Sequence, residues 1–428
     1  MSEIANIPKS ERRRIVIAGG GFAGRRLAEK LLKKDFQVVL IDRNNYYQFQ
    51  PLLYQVAIAG LEPSAISFPL RRMFQGKKND FHFRMAEIVS VNTAASILET
   101  TIGSIHYDYL VLATGVTTNF FGNENIEKKA LTMKSVSDAI LIRNTILENL
   151  EKAINCRNDE ERLPYLNIAI VGGGPAGVEL AGALAEMRKY ILPRDYPDYD
   201  FHQMKIFLFE AVDRILVNMS DKSSVTATTY LERLSVNIQT STRVRDFNGE
   251  QIFLEGSEMI PSKTLIWTAG VTASKIEGLE ASVFGHANRI LTDEINRVKN
   301  TTNIFAIGDL SLMTTDRYPR GHPQLAPVAL QQASLLAKNL LRLSNGEKSK
   351  PFRYNDKGTL TSIGRNLAVA DLKRISLKGF IAWIVWSLVH LFSIVGGKNK
   401  ILIFIDWASN YLIYDPSLRL LIKTKSNL

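Results

Sequence analysis

Short apolar runs and helical patterns alternate through the first three quarters of the chain. Ile15–Ala18 and Gln37–Ile41 are apolar runs of strand length, and apolar positions recur at helical spacing within Arg25–Lys33 between them. The same order recurs at Asn167–Val171 and Lys205–Phe209. A continuous apolar run predicts a strand buried on both faces, as in a parallel sheet flanked by helices. The pattern therefore predicts an α/β fold with two Rossmann-like, doubly wound domains.

The pattern changes near the C-terminus. Phe380–Gly397 is an almost continuous apolar run, which as a helix would be about 27 Å long, just short of the ~30 Å hydrocarbon core of a bilayer. In Ile401–Ile413 the polar residues Asp406, Ser409 and Asn410 share one helical face, which is typical of an interfacial helix. We therefore predict a pair of amphipathic membrane-binding helices. A single spanning helix, or a helix pair buried in a core or dimer interface, stays open.

The distribution of charge along the chain indicates whether the protein binds a membrane surface or nucleic acid. The formal net charge is +11, and between residues 365 and 428 nine basic residues stand against three acidic ones, which places +6 of the excess in the last 64 residues. Three of the four tryptophans, Trp383, Trp386 and Trp407, lie there too. Basic residues, tryptophan and long apolar runs together indicate attachment to an anionic membrane surface. A nucleic-acid-binding arm would be more polar, so we expect no nucleic acid partner.

Cysteine content and the N-terminus exclude several classes. Cys156 is the only cysteine, so the chain has no intrachain disulfide, no redox-active dithiol and no cysteine pair for a metal site, and we expect no metal. No apolar segment of signal-peptide length precedes Ile15. We therefore expect the protein to stay in the cytoplasm, as a peripheral or monotopic protein on the cytoplasmic face of the cell membrane.

A glycine motif follows the first predicted strand. Gly19, Gly21 and Gly24 form G-x-G-x-x-G between that strand and a helix, and Asp42 ends the next strand 23 residues after Gly19. In this arrangement the glycines allow a tight turn, a close approach of pyrophosphate and close helix packing, while the acid accepts hydrogen bonds from a ribose. The segment predicts a dinucleotide site.

The motif recurs 153 residues later. Gly172, Gly174 and Gly177 repeat the spacing, and Glu210 ends the following strand. A carboxylate at that strand end favours a ribose 2′-hydroxyl over a 2′-phosphate, which indicates NADH rather than NADPH. Arg214 lies close enough in sequence to leave NADPH open. Two dinucleotides are therefore expected.

Three further segments indicate which cofactor each site binds. Thr302–Asp309 is a strand that ends in Gly-Asp, as in the segment by which two-dinucleotide flavoproteins hold the ribityl chain of FAD. Tyr109–Gly115 and Leu265–Gly270 match the strand-then-glycine crossings between the two domains of such proteins. Their order supports an FAD domain split around an inserted NADH domain. Besides the two glycine motifs and their acids, the predicted cofactor-binding residues are Ala113, Thr114, Gly115, Gly270, Gly308 and Asp309.

Beyond these general motifs, the chain resembles the type II NADH dehydrogenases over about residues 14–420. The resemblance rests on segments that are specific to that family and its near relatives, together with the tryptophan-rich tail: Phe49–Ala57, Gly177–Gly182, Ala326–Gln332, Asp356–Gly358 and Ile363–Arg365. It implies a flavoprotein that is made of one kind of chain and forms homodimers. Such a protein passes electrons from NADH through non-covalent FAD to a membrane quinone without pumping protons.

The resemblance also implies roles for individual residues. Gln50 and Pro51 would line the flavin, and Glu179 would lie near the nicotinamide and the flavin ring. The resemblance implies that Glu179, Gln331 and Lys357 are the catalytic residues, and that Gln331 and Gln332 lie on the quinone side. Many family members have Ala-Gln where this chain has Ala326-Pro327, so a quinone contact by that earlier glutamine has no support here.

The predicted architecture has three parts. Residues 1–118 and 285–345 form the FAD-binding domain, residues 119–284 the NADH-binding domain, and residues 346–428 the membrane-anchoring segment. The predicted function is non-electrogenic NADH:quinone oxidoreduction at the membrane surface. Two alternatives stay open: a soluble NADH:acceptor flavin reductase, which would not need the tail, and a non-enzymatic NADH-sensing flavoprotein. The sequence does not distinguish ubiquinone from menaquinone.

Overall fold

The computed structural model describes residues 5–76, 80–197, 199–413 and 419–421. Three of the charged tail residues, Asp415, Lys423 and Lys425, lie outside these ranges. Of residues 412 and 413 the structure describes the backbone and not the side chains. The chain divides into two compact units. The first unit comprises Met1–Tyr47, Phe68–Thr117 and Val271–Asp356, and the second comprises Gln48–Ser67, Thr118–Gly270 and Lys357–Leu428.

Helices and strands alternate through both units. The α-helices are α1 Phe22–Leu31, α2 Leu53–Ala57, α3 Leu70–Met73, α4 Glu124–Lys129, α5 Val136–Ala153, α6 Asp159–Leu166, α7 Pro175–Glu186, α8 Leu192–Asp195, α9 Asp221–Arg233, α10 Ala326–Ser344, α11 Gly379–Ser393 and α12 Gly397–Ile413. The strands are β1 Arg14–Ala18, β2 Gln37–Asp42, β3 Tyr46–Gln48, β4 Ser67–Pro69, β5 Phe81–Met85, β6 Ile88–Asn92, β7 Ile97–Thr100, β8 Gly103–His106, β9 Tyr109–Leu112, β10 Thr117–Thr118, β11 Leu131–Thr132, β12 Ile168–Val171, β13 Ile206–Phe209, β14 Val236–Gln239, β15 Val244–Phe247, β16 Gln251–Leu254, β17 Met259–Pro261, β18 Thr264–Trp267, β19 Val271–Thr272, β20 Ile290–Leu291, β21 Ile304–Ala306, β22 Ser311–Leu312, β23 Thr359–Gly364, β24 Leu367–Asp371 and β25 Ser376–Lys378.

The first unit is built on a parallel sheet in the order β21-β9-β1-β2-β5. Its central strands are buried on both faces, as their unbroken apolar runs predict. Helices α1 and α10 pack together, and Arg26 Nε donates to Ser334 Oγ at 3.3 Å between them. A three-stranded antiparallel sheet, β6-β7-β8, is added to this unit.

The second unit repeats the plan with a parallel sheet in the order β11-β18-β12-β13-β14. An antiparallel sheet, β15-β16-β17, accompanies it, and a second one, β23-β24-β25, is formed by the C-terminal residues. Helix α7 packs against β23 so closely that a Cβ on Gly182 would lie 1.6 Å from the Ile363 carbonyl oxygen. The predicted α/β class with two parallel sheets is confirmed.

The two tail helices end the described part of the second unit. The structure contains the predicted pair of helices, but the first one, predicted over Phe380–Gly397, ends earlier: α11 ends at Ser393 and α12 begins at Gly397, after Gly396 at a φ of 86°. That left-handed conformation suits glycine and breaks the helix there. Within the described residues, none of the helices combines enough length and apolar character to cross a bilayer.

The compact units differ from the predicted domain boundaries in three places, one of which is residues 271–284, predicted in the NADH-binding domain but part of the first unit. Residues 48–67, predicted within the FAD-binding domain, belong to the second unit, because α2 packs against α5 and α7. The C-terminal residues from Lys357 also join that unit, through β23 on α7. The cofactor assigned to each predicted domain stays a prediction.

Candidate functional site

The first glycine motif is as tightly packed as its predicted role requires. Gly19 has a φ of 109°, and a Cβ there would lie 2.3 Å from the Ala113 carbonyl oxygen. A Cβ on Gly24 would lie 1.8 Å from the Gly19 oxygen, so α1 approaches the turn with no room for a side chain. Gly21 caps α1 and has open space around it. The turn thus leaves the first N–H groups of α1 uncapped by side chains, with room for an anion.

Asp42 is held at this turn by two backbone N–H groups. Gly20 donates to its Oδ2 at 2.6 Å and Asn44 to its Oδ1 at 2.7 Å. Burial nevertheless raises the pKa of Asp42 above its usual value, against these two bonds. The carboxyl is therefore fixed beside the glycine turn at the end of β2, where a ribose acceptor is expected.

The second motif has the same geometry within the second unit. Gly172 also has a φ of 109°, and a Cβ on Gly177 would lie 2.0 Å from the Gly172 oxygen. Gly174 caps α7 with open space around it. Glu210 Oε2 accepts from Gly173 N at 2.6 Å, as Asp42 does in the first unit. The chain therefore contains two glycine turns of equivalent geometry, the two cradles, and each has the form predicted for a dinucleotide site.

Around Glu210, the loop folds back on the carboxylate. Val212 N donates to Glu210 Oε1 at 3.1 Å. Arg214, the residue that left NADPH open, forms an ion pair with Asp221 at the start of α9, and donates to the Val217 carbonyl at 3.2 Å. The guanidinium is thus held by partners other than a nucleotide.

The Gly-Asp segment of the first unit is tied to α10. Gly308 N donates to Gln332 Oε1 at 2.8 Å, and Gln332 is 1% exposed. Gln331 makes two hydrogen bonds to the backbone of Asn355. Its Nε2 donates to the Asn355 carbonyl at 3.0 Å, and the Asn355 N–H donates to Gln331 Oε1 at 2.9 Å. Both glutamines predicted for the quinone side therefore make backbone hydrogen bonds inside this unit. Their quinone roles stay predictions.

The remaining predicted residues lie in several places. In the first unit, Ala113 donates its N–H to the Ala18 carbonyl at 2.7 Å, and Thr114 and Gly115 follow directly. Asp309 is the middle residue of a short 3₁₀ turn, Gly308–Leu310, and its carbonyl accepts from Arg289 Nε at 3.0 Å. In the second unit lie the other four: Gln50, Pro51, Gly270 and Lys357. Gln50 is exposed, Lys357 is exposed, and a Cβ on Gly270 would lie 2.5 Å from the Phe121 ring.

A cavity of about 160 Å³ lies inside the second unit. Five elements of that unit line it, namely α2, α7, β23, α11 and α12. Its aromatic lining residues are Tyr54, Trp383, Trp386, Trp407 and Tyr411. The polar groups that reach it are few, and two of them are carboxyls of α7. Apolar walls with a few convergent polar groups are typical of a small-molecule site.

Those carboxyls belong to Glu179 and Glu186, about two helical turns apart on one face of α7. Burial raises the pKa of Glu179 to about 8, opposed by the Ser362 N–H, which lies 3.4 Å from Oε1. Burial raises the pKa of Glu186 to about 7, opposed by the Arg365 N–H, which donates to Oε1 at 2.5 Å, and by the positive charges of Arg365 and Lys189. Near neutral pH the cavity therefore contains carboxylic acids that can carry a proton.

The tail helices α11 and α12 expose large apolar side chains, whereas an ordinary surface helix exposes polar ones. Two asparagines of α12 face the protein: Asn399 Nδ2 donates to the Ala65 carbonyl at 2.9 Å and Asn410 Nδ2 to the Gly60 carbonyl at 3.2 Å. Trp386 and Ile403 are buried against the protein, but many of the other large apolar side chains of the two helices are exposed. Those at least 50% exposed on the two helices are Phe380, Ile381, Phe392, Ile401, Phe404 and Ile405.

Several residues of the cavity were not predicted as site residues. Tyr54 and Gln55 belong to a segment that carried the family resemblance, and Trp407 belongs to the predicted interfacial helix. Glu186 had a usable signal, because it lies seven residues after Glu179 in a run of small apolar residues and so shares its helical face. Nothing in the sequence brings α2, α7 and α12 together.

Comparisons with known proteins agree with this geometry. A family model described as pyridine nucleotide-disulphide oxidoreductase matches residues 13–333, which include both glycine motifs. A second model, described as the NDH2 C-terminal domain, matches residues 357–414. The first match defines the class of the protein. With Cys156 as its only cysteine, this member has no disulfide of its own.

Curated and solved relatives narrow the class. The type II NADH:quinone oxidoreductase Ndh of Mycobacterium tuberculosis is 31% identical over 420 residues, covering 94% of this chain and 88% of the relative. NdhA of the same organism is 29% identical over 418 residues, covering 94% and 87%. The structure of NDH2 from Plasmodium falciparum in complex with NADH has the same fold, with a TM-score of 0.88 at 22% identity over 96% of this chain and 100% of that one. The chain therefore belongs to the pyridine nucleotide-disulphide oxidoreductase family and, within it, to the type II NADH:quinone oxidoreductases, as its motifs predicted.

Proposed function

We propose that this protein is a flavin-dependent NADH:quinone oxidoreductase that works at a membrane surface. The observation that carries the proposal is the cavity beneath α11 and α12, helices that expose large apolar side chains. Dinucleotide cradles occur in many oxidoreductases and do not identify the electron acceptor. An apolar cavity with carboxylic acids, roofed by lipid-compatible helices, suits a hydrophobic acceptor that gains protons on reduction.

FAD fits the first cradle. The open space at Gly21 and the uncapped start of α1 suit a pyrophosphate, and the fixed Asp42 carboxyl suits a ribose. Binding is non-covalent in this proposal, with Gly308 and Asp309 toward the ribityl chain and Ala113, Thr114 and Gly115 along the strand end. When bound, the flavin would accept a hydride and pass on two electrons. Gln50 and Pro51 are proposed to line its ring.

NADH fits the second cradle for the same reasons, through Gly172, Gly174 and Gly177. The Glu210 carboxylate would accept hydrogen bonds from a ribose 2′-hydroxyl and would repel a 2′-phosphate. Arg214 is paired with the exposed Asp221, which weakens its attraction for a 2′-phosphate without removing it. NADH is therefore the proposed electron donor in preference to NADPH. Gly270 is proposed to lie at the same site.

The acids of the cavity can supply the proton that the reaction consumes. The balanced reaction, NADH + H⁺ + quinone → NAD⁺ + quinol, takes one net proton from water. Glu179, with a pKa of about 8, is a proton donor at neutral pH and can be recharged through Glu186, whose pKa is about 7. Gln331, Gln332 and Lys357 are proposed to act on the quinone side as well. No step of this scheme moves a proton across the membrane, so the proposed activity is non-electrogenic.

Membrane attachment is proposed to occur through α11 and α12. Phe392 is 70% exposed and Ile401 is 61% exposed, an orientation that only a hydrophobic environment favours. Basic residues of the tail, such as Lys398 and Lys400, suit anionic lipid headgroups. The proposed location is the cytoplasmic face of the cell membrane, as a homodimer, which analytical ultracentrifugation in detergent would test.

The experiment combines vesicle flotation with turnover. The full-length protein is mixed with vesicles containing phosphatidylglycerol and ubiquinone-10 or menaquinone, and both flotation and NADH oxidation are measured. The variant Phe392→Glu/Ile401→Glu is expected to leave the floating fraction and to lose oxidation of the vesicle-borne quinone. Val225→Glu, at a 66% exposed apolar position on α9, serves as the matched control and should behave like the wild type.

The outcomes separate the alternatives. Wild-type protein that stays in the soluble fraction but reduces soluble acceptors would favour a soluble NADH:acceptor reductase. Wild-type protein whose flavin is reduced by NADH and which then reduces no acceptor would favour an NADH-sensing flavoprotein. Flotation together with quinone-dependent NADH oxidation is the result that the proposal requires.

A further inference from the structure

Two hydrogen bonds connect α12 to the wall of the cavity. Trp407 Nε1 donates to Gln55 Oε1 at 2.8 Å, and Gln55 Nε2 donates to Tyr54 Oη at 3.0 Å. All three residues line the cavity. Tyr54 is only 6% exposed, so its hydroxyl is directed to protein groups and the cavity rather than to bulk water.

The chemistry of these groups fixes the direction of the two bonds. An indole N–H can only donate, so the atom of Gln55 that faces Trp407 must be the amide oxygen. The amide nitrogen then faces Tyr54, and because it too can only donate, the Tyr54 oxygen is an acceptor in that bond. The phenol hydrogen of Tyr54 must therefore be donated to a different group.

The surroundings of Tyr54 show where that hydrogen can go. Burial raises the pKa of Tyr54, and the charges of Glu179 and Glu186 raise it further, while side-chain hydrogen bonds from Gln55 and Ser362 to the Tyr54 oxygen lower it. Both acids and Ser362 line the same cavity as Tyr54. The phenol is therefore kept as a neutral O–H that points toward the cavity side of α7 and β23. Its ring also contacts Trp386, with centroids 6.5 Å apart.

We propose that Tyr54 donates a hydrogen bond to a carbonyl oxygen of the quinone in this cavity, and that Gln55 and Trp407 are positioning residues that hold its hydroxyl in that role. The inference rests on the proposed function and adds a binding residue to it. Both electrons still come from NADH, and Tyr54 keeps its proton. The hydrogen bond strengthens as negative charge develops on the carbonyl oxygen, so it favours reduction as well as binding.

The first test is Tyr54→Phe, which keeps the ring and removes the donor. With ubiquinone-1 as the probe, kcat/KM for the quinone is expected to fall about tenfold, the effect of one lost hydrogen bond to a buried site. Bleaching of the flavin by NADH and turnover with ferricyanide, which needs no hydrogen bond from the cavity, are expected to match the wild type. These two rates also report whether the variant is folded.

A double-mutant cycle tests the positioning residues. Trp407→Phe removes the N–H that orients Gln55, and it is expected to lower kcat/KM for ubiquinone-1 about threefold in the wild-type background. In the Tyr54→Phe background it should have no further effect, because the hydroxyl that it orients is already gone. Trp383→Phe is the matched control, because Trp383 lines the same cavity but makes ring contacts to Phe380 and Tyr411. It should therefore change kcat/KM for ubiquinone-1 by the same factor in the wild-type and Tyr54→Phe backgrounds.

Each result decides the inference. A tenfold fall for Tyr54→Phe together with non-additivity for Trp407→Phe supports it. A kcat/KM within twofold of the wild type for Tyr54→Phe overturns it while leaving the proposed function intact, and full additivity overturns the role of Trp407. If Tyr54→Phe fails to fold, Gln55→Met, which removes both bonds, must show the same selective fall in the quinone rate. Absence of quinone turnover in the wild type would overturn the proposed function itself.

Discussion

Replacing Glu179 with glutamine should change how the stability of the protein depends on pH. The carboxyl is 8% exposed, and burial raises its pKa to about 8 from its ordinary value of 4.5. Below pH 4.5 the group is protonated in the folded and unfolded chains alike. Between pH 4.5 and 8 the unfolded chain releases a proton that the folded chain keeps, so the free energy of unfolding decreases as the pH rises. Above pH 8 the penalty is constant.

The magnitude follows from that range. Each pH unit is worth about 1.4 kcal/mol for one group, so Glu179 alone removes on the order of 5 kcal/mol of stability between pH 4.5 and 8. At ~2.1 cal/mol/K of unfolding entropy per residue, a chain of this length shifts its Tm by about 1 °C per kcal/mol. Glutamine keeps the shape, accepts from the Ser362 N–H and does not titrate. Three of these pH units lie between pH 5 and pH 8.5, so the Tm difference between Glu179→Gln and the wild type should be about 4 °C larger at pH 8.5 than at pH 5.

Differential scanning calorimetry at one scan rate, from pH 5 to pH 9, measures this difference. Asp159→Asn is a suitable control, because that carboxylate is 58% exposed at the start of α6. Its Tm difference from the wild type should change little with pH over this range. A constant Tm difference between Glu179→Gln and the wild type from pH 5 to pH 9 would refute the assignment of a raised pKa to Glu179.

Three further predictions follow from the packing and the two cradles. Gly182→Ala should lower the Tm sharply, because its Cβ would meet the Ile363 carbonyl oxygen at 1.6 Å, whereas Gly397→Ala, with nothing within 4 Å, should not; thermal unfolding of both variants decides. Asp42→Ala should be purified with less bound FAD, seen as a lower ratio of flavin to protein absorbance, and full occupancy would contradict the proposed role of Asp42. Asp221→Asn, by freeing Arg214 beside Glu210, should raise kcat/KM for NADPH relative to NADH severalfold, and an unchanged ratio in steady-state assays would show that Arg214 does not reach the nucleotide.

The parts of the fold that depend on local pattern could be predicted from the sequence. The strand, glycine turn and helix at Gly19 and Gly172 are contiguous in the chain, so their spacing alone determines the two cradles. The first tail helix was predicted as Phe380–Gly397 and is observed as Gly379–Ser393, so it begins one residue earlier and ends four residues earlier. Such small differences arise because the ends of a helix depend on capping and on neighbouring elements.

The candidate cavity could be predicted only in part. Glu179 was identified through the family resemblance, but its environment depends on Ser362, which is 183 residues away in sequence. Tyr54 and Trp407 are connected only because α2 and α12 pack within one unit. Gln332 illustrates the opposite case: a residue predicted for the quinone side makes a buried hydrogen bond to Gly308, which the sequence pattern did not reveal.

Stopped-flow absorbance at the flavin band tests the central claim most directly. The purified protein is first reduced with NADH and then mixed with a short-chain ubiquinone or menaquinone analogue. The account predicts rapid bleaching by NADH followed by rapid reoxidation that depends on the quinone concentration. Bleaching without quinone-dependent reoxidation would contradict it, and would leave two nucleotide sites without a membrane quinone as the acceptor.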